Sequence, residues 1–351
     1  MFGTPNLSHG SPVTFVEWSP GDPPPPEIDL DAIYAFLVRP FDPWMAPAEV
    51  SLLPRFLKGG FAGDLRHTFF LAHAGGRIVG TAWHGTAESS RETGGYGFVL
   101  TDEGHRGRGI AQELTRRSVE RFWDEGGAAL YLGTTNPVAQ HVYAKFGYAP
   151  YNGIAMRAIR PGLDPGEFDA TYFTFDGGAQ IREVTMGDVG AYTALLLARE
   201  LHSWVIRDFT EGIFYAPPSV VSTSCLRPFY NAMLQHEASP TNVFKALVTQ
   251  GGRMVAAARA FAPPGGALAG AGILEVQCYP TYRQELPGFL ADVIQQAAHR
   301  GMRQLRAFAV ADDRADALRE AGFHPAGELT ELLQIGPARA SIQTMQLRLA
   351  S

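Results

Sequence analysis

Residues 98–111 read FVLTDEGHRGRGIA. Phe98, Val99 and Leu100 are the apolar end of a strand, and Thr101, Asp102 and Glu103 turn the chain. A basic, glycine-rich loop follows, and then a run with helical period. Ile110, Leu114, Ser118 and Phe122 recur every fourth residue, with Ala111, Thr115 and Val119 beside them. The loop therefore opens a helix that leaves a strand. Backbone N–H groups at a helix start point outward, and the helix dipole adds partial positive charge there. Gly107 and Gly109 allow the backbone to curl towards a ligand with no Cβ in the way. Arg106 and Arg108 add full charges, and such a nest suits a pyrophosphate. It is not a Walker A loop, since no Gly-Lys-Ser/Thr follows four spacer residues. It is not a GxGxxG loop with an acidic residue closing the next strand either.

The sequence after this helix carries a second pattern. Ala129–Gly133 reads as a buried strand, and residues 136–148 read NPVAQHVYAKFGY. Asn136 caps a helix with Pro137 in its first position, and Gly147 ends it. Together, Arg106-x-x-Gly109-x-Ala111 and Asn136-x-x-Ala139-x-x-x-Tyr143-x-x-x-Gly147-Tyr148 resemble the two acyl-CoA motifs of the GCN5-related N-acetyltransferases (GNAT), in the family's order and separation. The resemblance implies a mixed α/β fold and acyl transfer from acetyl-CoA to an amine.

Composition sets the bounds. The chain has 351 residues, enough for two domains, with 46% hydrophobic and 18% charged residues, as in ordinary globular proteins. A net charge of −6 and the lack of basic runs argue against nucleic acid. Two cysteines, Cys225 and Cys278, cannot build a disulfide framework, which suits a reducing compartment. With no signal-peptide pattern and no membrane-length apolar run, the expected location is the cytoplasm, as a monomer or homodimer. Ten histidines and two cysteines show no metal-ligand spacing, and no Gly-x-Ser-x-Gly elbow occurs, so no metal is expected.

Reading outward, residues 1–12 are a loose Gly/Ser/Pro stretch and Val13–Trp18 alternates as a first strand. Helices are expected at 29–39 and 47–58, and strands at 68–74, 77–86 and 94–101. A closing hairpin is expected from strands at 152–159 and 170–175. The pattern then repeats. LAHAGGRIVGTA at 71–82 returns as LVTQGGRMVAAA at 247–258, Gly126 matches Gly301, and AKFGYAP matches REAGFHP with Gly147 opposite Gly322. A new first strand falls at 181–184, a new first helix at 187–199, and a final hairpin at 328–335 and 342–349. Two tandem copies of one fold follow, at 1–177 and 178–351. The second has lost the chemistry. Leu286 replaces Gly109, Arg283 stands opposite Arg106, and Asn136, Ala139 and Tyr143 face Ala311, Arg314 and Leu318. It reads as a degenerate, non-catalytic copy. Gly265–Gly272 (GGALAGAG) falls at a hairpin connection and reads as a turn.

Carried onto this sequence, the resemblance assigns roles in the first copy. Arg106, Gly107, Arg108, Gly109, Ile110 and Ala111 hold the pyrophosphate. Backbone groups of Val99, Leu100 and Thr101 hold the pantetheine arm and the thioester carbonyl. Asn136, Ala139 and Tyr143 complete the cosubstrate site, and Tyr143 is the general acid for the departing thiolate. Periodicity alone would place Tyr143 in the core. The general base is not legible in the sequence; His84, Glu88 and Glu92 lie along or after the third strand, and His84 and Glu88 are its candidates. Asp102, Glu103 and His105 face solvent around the loop. Trp44, Met45, Phe56 and Phe61 fall where the family shapes its acceptor pocket, though as apolar residues on amphipathic helices they read first as core. The acceptor is expected to be a small-molecule amine. Alternatives within the fold are acyl-CoA decarboxylation or protein acylation; outside catalysis, an acyl-CoA-binding regulator.

Overall fold

In the computed structural model, the described residues are 12–38, 47–201, 206–208, 213–215, 226–262, 271–335 and 338–349. The expected loose N-terminus up to residue 11, Trp44 and Met45, Cys225, and the turn residues 265–270 lie outside them.

The first sheet is built from β1 (Val13–Trp18), β2 (Leu65–Ala74), β3 (Arg77–Ala87), β4 (Thr93–Thr101), β5 (Ala129–Gly133), β6 (Tyr148–Pro150) and β7 (Ala155–Ile159). Its order is β1-β2-β3-β4-β5-β7-β6, antiparallel throughout except for the parallel pair β4–β5. Helices α1 (Leu30–Val38) and α2 (Pro47–Leu57) link β1 to β2; α3 (Ile110–Asp124) makes the crossover that a parallel pair requires; α4 (Pro137–Ala144) follows β5. The predicted apolar stripe of α3 is buried at Ile110, Leu114, Ser118, Val119 and Phe122. It lies close to β3. A Cβ on Gly80 would come within 2.6 Å of Ile110 and 3.1 Å of Leu114, so only glycine admits the helix there.

One expected strand is a helix. Residues 170–175 do not pair; α5 (Pro165–Tyr172) takes up 170–172 and a turn follows, and β7 closes its hairpin with β6 instead. The alternating aromatics of TYFTF suggested a strand. Proline at the first helical position starts the helix, and Phe168 and Tyr172, four apart, pack with tilted rings 5.4 Å apart on one buried face. The Thr171 and Thr174 hydroxyls donate back to the Glu167 and Ala170 carbonyls, four residues earlier.

The remaining elements are β8 (Ala179–Glu183), α6 (Val189–Leu196), the short pair β9 (Ile206–Asp208) and β10 (Ile213–Tyr215), α7 (Arg227–Glu237), β11 (Val243–Thr249), β12 (Met254–Phe261), β13 (Ala271–Cys278), α8 (Leu286–His299), β14 (Gln304–Ala309), α9 (Asp313–Glu320), β15 (His324–Ile335) and β16 (Ala338–Arg348). The second sheet runs β8-β11-β12-β13-β14-β16-β15. Strand for strand this is the first sheet again, with its one parallel pair, β13–β14, in the same place. The matched glycines share a backbone state as well: φ is 96° at Gly126 and 92° at Gly301, 88° at Gly147 and 90° at Gly322. The chain is a tandem of one mixed α/β fold.

The compact units interleave in sequence. The first comprises Met1–Pro165, Thr185–Thr193 and Ser222–Tyr230; the second comprises Gly166–Val184, Ala194–Val221 and Asn231–Ser351. Within the first unit, a Cβ on Gly190 would meet the Thr93 carbonyl oxygen at 2.5 Å, and Val189, Leu226 and Tyr230 are buried. A chain ending at residue 177 loses both later segments of that unit. Each buried apolar side chain withdrawn costs about 1.5–3 kcal/mol. With about 2–4 °C per kcal/mol at this size, residues 1–177 alone should melt roughly 10–30 °C below the full chain, measured by circular dichroism.

Candidate functional site

The geometry that matters begins in β4. Its ladder with β5 starts at Thr93↔Ala129 and ends at Gly95↔Tyr131. From Tyr96 to Thr101 the strand has no partner on that side, and β5 turns to β7 alone. On its other side β4 is irregular too. Thr81 pairs with Leu100 and Trp83 with Gly97, so Phe98 and Val99 together face the single Ala82. This is a β-bulge, which bends a strand and re-aims its groups. Phe98 adopts φ 50°, a left-handed state that costs a bulky residue free energy. It is held there by its neighbours. Its ring packs against Phe56 (5.9 Å), Trp83 (5.7 Å) and Phe69 (6.1 Å), and its carbonyl accepts the Thr81 hydroxyl at 2.8 Å.

The open strand runs into the glycine loop. Asp102 N–H donates to the Val79 carbonyl at 2.9 Å, a short 3-10 turn spans Glu103–His105, and Gly107 and Gly109 follow with φ of 76° and 79°. Gly109 occupies the N-cap position of α3, whose first N–H groups have no acceptor within the helix. A Cβ on Gly107 would point into open space. The cradle therefore has left-handed glycines, outward N–H groups and room, which fits a pyrophosphate. The exposed Arg106 rests beside Glu103 at 3.4 Å; Arg108 and Ala111 are half-buried, and Ile110 is buried. Val99, Leu100 and Thr101 are half-buried along the open edge, and the Thr101 hydroxyl oxygen is buried without a hydrogen-bond partner. Asp102 and His105 pair at 3.0 Å at the loop's edge.

The second motif lies on α4. Asn136 Oδ1 accepts from the N–H groups of Val138 (3.0 Å) and Ala139 (3.4 Å), a capping arrangement, and Val138 is exposed. Tyr143 is buried with the core of this sheet, edge-on to Tyr96 at 5.8 Å and beside Tyr148 at 5.8 Å. Tyr96 belongs to the unpaired part of β4, so Tyr143 reaches the open strand. Burial pushes its phenol well above the ordinary tyrosine range, so it keeps its proton at neutral pH.

The proposed bases do not converge on this place. His84 faces α3, with Nδ1 2.9 Å from Ser118 Oγ and Nε2 4.0 Å from Glu125. It is sealed from solvent, and burial lowers it to about 3, which leaves it neutral. Glu88 is exposed just beyond β3, bound by Arg66 at 2.9 and 3.0 Å and Arg91 at 3.3 Å; Arg66 holds its carboxyl below the ordinary range. Eight residues along a strand separate it from Gly80, the partner of Thr101, which is roughly 25 Å. The Glu92 carbonyl caps the start of β5 at that same far end, accepting from Ala128 and Ala129. Phe56 and Phe61 are buried and pack together at 5.0 Å. Sequence reading missed Glu49 on α2. A glutamate in a helix's first turn reads as an exposed cap, yet this one is buried and raised to about 7.

Comparison with known proteins bears on the same residues. The model of the acetyltransferase (GNAT) family matches residues 30–148, which contain the bulge, the loop, α3 and α4. Residues 30–148 are a GNAT domain. Solved structures similar to the chain include a GNAT-family acetyltransferase from Streptococcus pneumoniae, 16% identical over 49% of this chain and 99% of that one, with TM-score 0.39. A phosphinothricin acetyltransferase from Sinorhizobium meliloti, solved with acetyl-CoA, is 16% identical over 49% and 89%, with TM-score 0.40. A spermidine N-acetyltransferase from Vibrio cholerae, solved with CoA and spermine, is 12% identical over 49% and 96%, with TM-score 0.38. No curated protein matches the chain. Among the described residues, no helix is long and apolar enough to cross a membrane, and no group of histidine, cysteine or acidic residues could hold a metal ion.

The second GNAT-like sheet differs from the first at each of these places. β13 pairs with β12 in unbroken register from Phe261↔Ile273 to Ala256↔Cys278, with no bulge. A 3-10 turn, Pro280–Glu285, and α8 replace the loop, and Glu285 at the N-cap has φ −84°. Arg283, opposite Arg106 in the repeat, is ion-paired with Asp313. β13 and β14 part after Leu274↔Ala307, but Arg314 fills the gap. This fully buried side chain donates to the Phe308 carbonyl.

One CoA per chain is therefore expected. Isothermal calorimetry with acetyl-CoA should give a stoichiometry near one. Gly109→Asp, which adds a side chain at φ 79° and a negative charge to the nest, should abolish binding and leave the far-ultraviolet spectrum unchanged. Arg314→Ala should leave the stoichiometry at one.

Proposed function

We propose that the chain transfers an acetyl group from acetyl-CoA to the amine of a small-molecule acceptor, with both substrates bound together in the first copy. One observation carries this reading: β4 leaves β5 where it also bulges, and the freed strand leads straight into the glycine nest of α3. Acetyl-CoA supplies the activated thioester and the pyrophosphate that a nest can hold. The loop 106–111 binds the pyrophosphate through N–H groups and the Arg106 and Arg108 charges. Unpaired backbone N–H groups between Tyr96 and Thr101 take the pantetheine amides and polarise the thioester carbonyl; one such donor contributes about 2.7–4 kcal/mol in other acyl-transfer sites. Asn136 and Ala139 place α4 beside this cleft.

Tyr143 serves the departing sulfur. A phenol pushed up by burial does not give up its proton readily to a thiolate whose thiol titrates near 8.5. Its role is to hold a strong hydrogen bond to the forming thiolate, and the thiolate's final proton comes from the medium. The second copy, with Arg314 buried where β13 and β14 part and no glycine nest, does no chemistry. Low cysteine usage, with Cys278 buried and free, suits work in the reducing cytoplasm.

The test is a thiol-release screen with acetyl-CoA over primary amines: polyamines, aryl-alkyl amines, amino acids and amino sugars. Velocities for the active amine should show intersecting patterns, as a ternary complex requires. Tyr143→Phe should lower kcat by about 10²–10³-fold and leave the acetyl-CoA Kd unchanged, because the hydroxyl's hydrogen bond strengthens as charge develops on sulfur. Normal kcat in the folded variant would return Tyr143 to the core.

A further inference from the structure

We propose that Glu49 takes the proton from the acceptor's ammonium, and that Arg227, from a segment of the second half of the sequence that belongs to the first unit, tunes it. The proposal rests on the acetyl-transfer reading and supplies the base that His84 and Glu88 do not provide.

Glu49, Leu52, Leu53 and Phe56 lie three and four residues apart, on one buried face of α2. Phe56 sets that face against the bulge, edge-on to Phe98 at 5.9 Å and to Trp83 at 5.6 Å. Residues 226–230 follow the same line. Tyr230 is edge-on to Phe56 at 5.9 Å, and Arg227 Nε is 3.8 Å from Glu49 Oε1. Leu226, the next residue back, covers the β4 backbone: a Cβ on Gly95 would meet its methyls at 3.1 Å, and one on Gly97 at 3.7 Å. Those are the last paired residue of β4 and the residue before bulged Phe98. Glu49 is thus linked by contact, through Arg227 and Leu226, to the backbone where the cleft opens, on the sheet face opposite α3.

The carboxyl is poorly satisfied for a structural role. Glu49 is 9% exposed; one oxygen faces Arg227, and Oε2 is buried with no hydrogen-bond partner. Leaving such an atom unpaired is unfavourable. A glutamate that only favours the helix start does so from solvent. Arg227 is the charged group that acts on it among the described residues. Burial raises the carboxyl to about 7, with Arg227 pulling the other way, so it is half ionised at neutral pH and matched to proton transfer. The step balances simply. The ammonium N–H bond breaks and an O–H bond forms on Glu49. The electron pair stays on nitrogen, which becomes nucleophilic, and Glu49 later returns its proton to water.

The experiment uses the amine found active in the screen, with full-length wild type, Glu49→Gln, Glu49→Asp and Arg227→Met. Wild-type kcat/KM for the amine should rise with pH through a limb near 7. Glu49→Gln should lose about 10²–10⁴-fold and the limb with it, while the acetyl-CoA Kd stays within twofold. Glu49→Asp should keep the limb and part of the rate. Arg227→Met removes the charge that favours the carboxylate, so the limb should move to higher pH. Stability gives a second readout. The folded-state value lies above the unfolded one, so the ionised carboxyl disfavours the fold increasingly as pH rises from about 4.3 through 7. Glu49→Gln should therefore melt above wild type at pH 8 and level with it at pH 4. A folded Glu49→Gln protein with unchanged kcat/KM and limb overturns the proposal and leaves acetyl transfer standing. A protein that binds acetyl-CoA but acetylates no amine overturns the reading beneath it, and this proposal falls too.

Discussion

The parting of β4 from β5 is the constraint on which the rest of the first copy depends. Two parallel strands that stay paired bury their backbone groups in each other; two that separate must satisfy them in some other way. Here the ladder ends at Gly95↔Tyr131, and the bulge at Phe98 and Val99 turns the freed strand outward. Everything nearby supports that departure. α3 lies against Gly80 and anchors the far end of β4. Phe56, Phe69 and Trp83 hold Phe98 in a backbone state it would not choose in isolation. The free edge then passes directly to the glycine nest, so one strand joins the unpaired backbone to the start of α3.

The two copies show what removing that constraint does. β13 and β14 also part, since the topology is the same, but β13 is unbulged and the helix start is wound tight. Arg314, in the position of Ala139, enters the gap and is fully buried. Burial lowers its guanidinium to about 10, which leaves it charged at neutral pH and dependent on the Phe308 carbonyl and the nearby Asp312 and Glu275 carboxylates. Where the first copy leaves strand edges open, the second satisfies the Phe308 carbonyl with the protein's own side chain. Loss of the glycine, the bulge and the small Ala139-type residue is thus one change seen in three places.

Much of this was legible in the sequence, because the determinants are local. The repeat showed in its hairpin and helix-end glycines, whose left-handed φ recurs in both copies. The loop showed because Gly107 and Gly109 stand just before a run of helical period and both take left-handed φ, and the α3 stripe because helical period is a property of the chain itself. The error at 170–175 was local too: alternating aromatics resemble a strand, but Phe168 and Tyr172 also fit one helical face, and the proline start decides between them.

Sequence alone determined the fold class, the tandem, the nest and the asymmetry between the copies, since each is written in residues within a few turns of one another. Tertiary structure decided the rest. The bulge depends on rings from α2, β2 and β3 meeting around Phe98, which no spacing along β4 reveals. His84 and Glu88 are excluded from the cleft by which face and which end of β3 they occupy. Glu49's acidity is altered by burial and pulled back by Arg227, a residue far away in sequence that belongs to the same unit. Proton affinity is set by burial and neighbouring charge, and both exist only once the chain has folded.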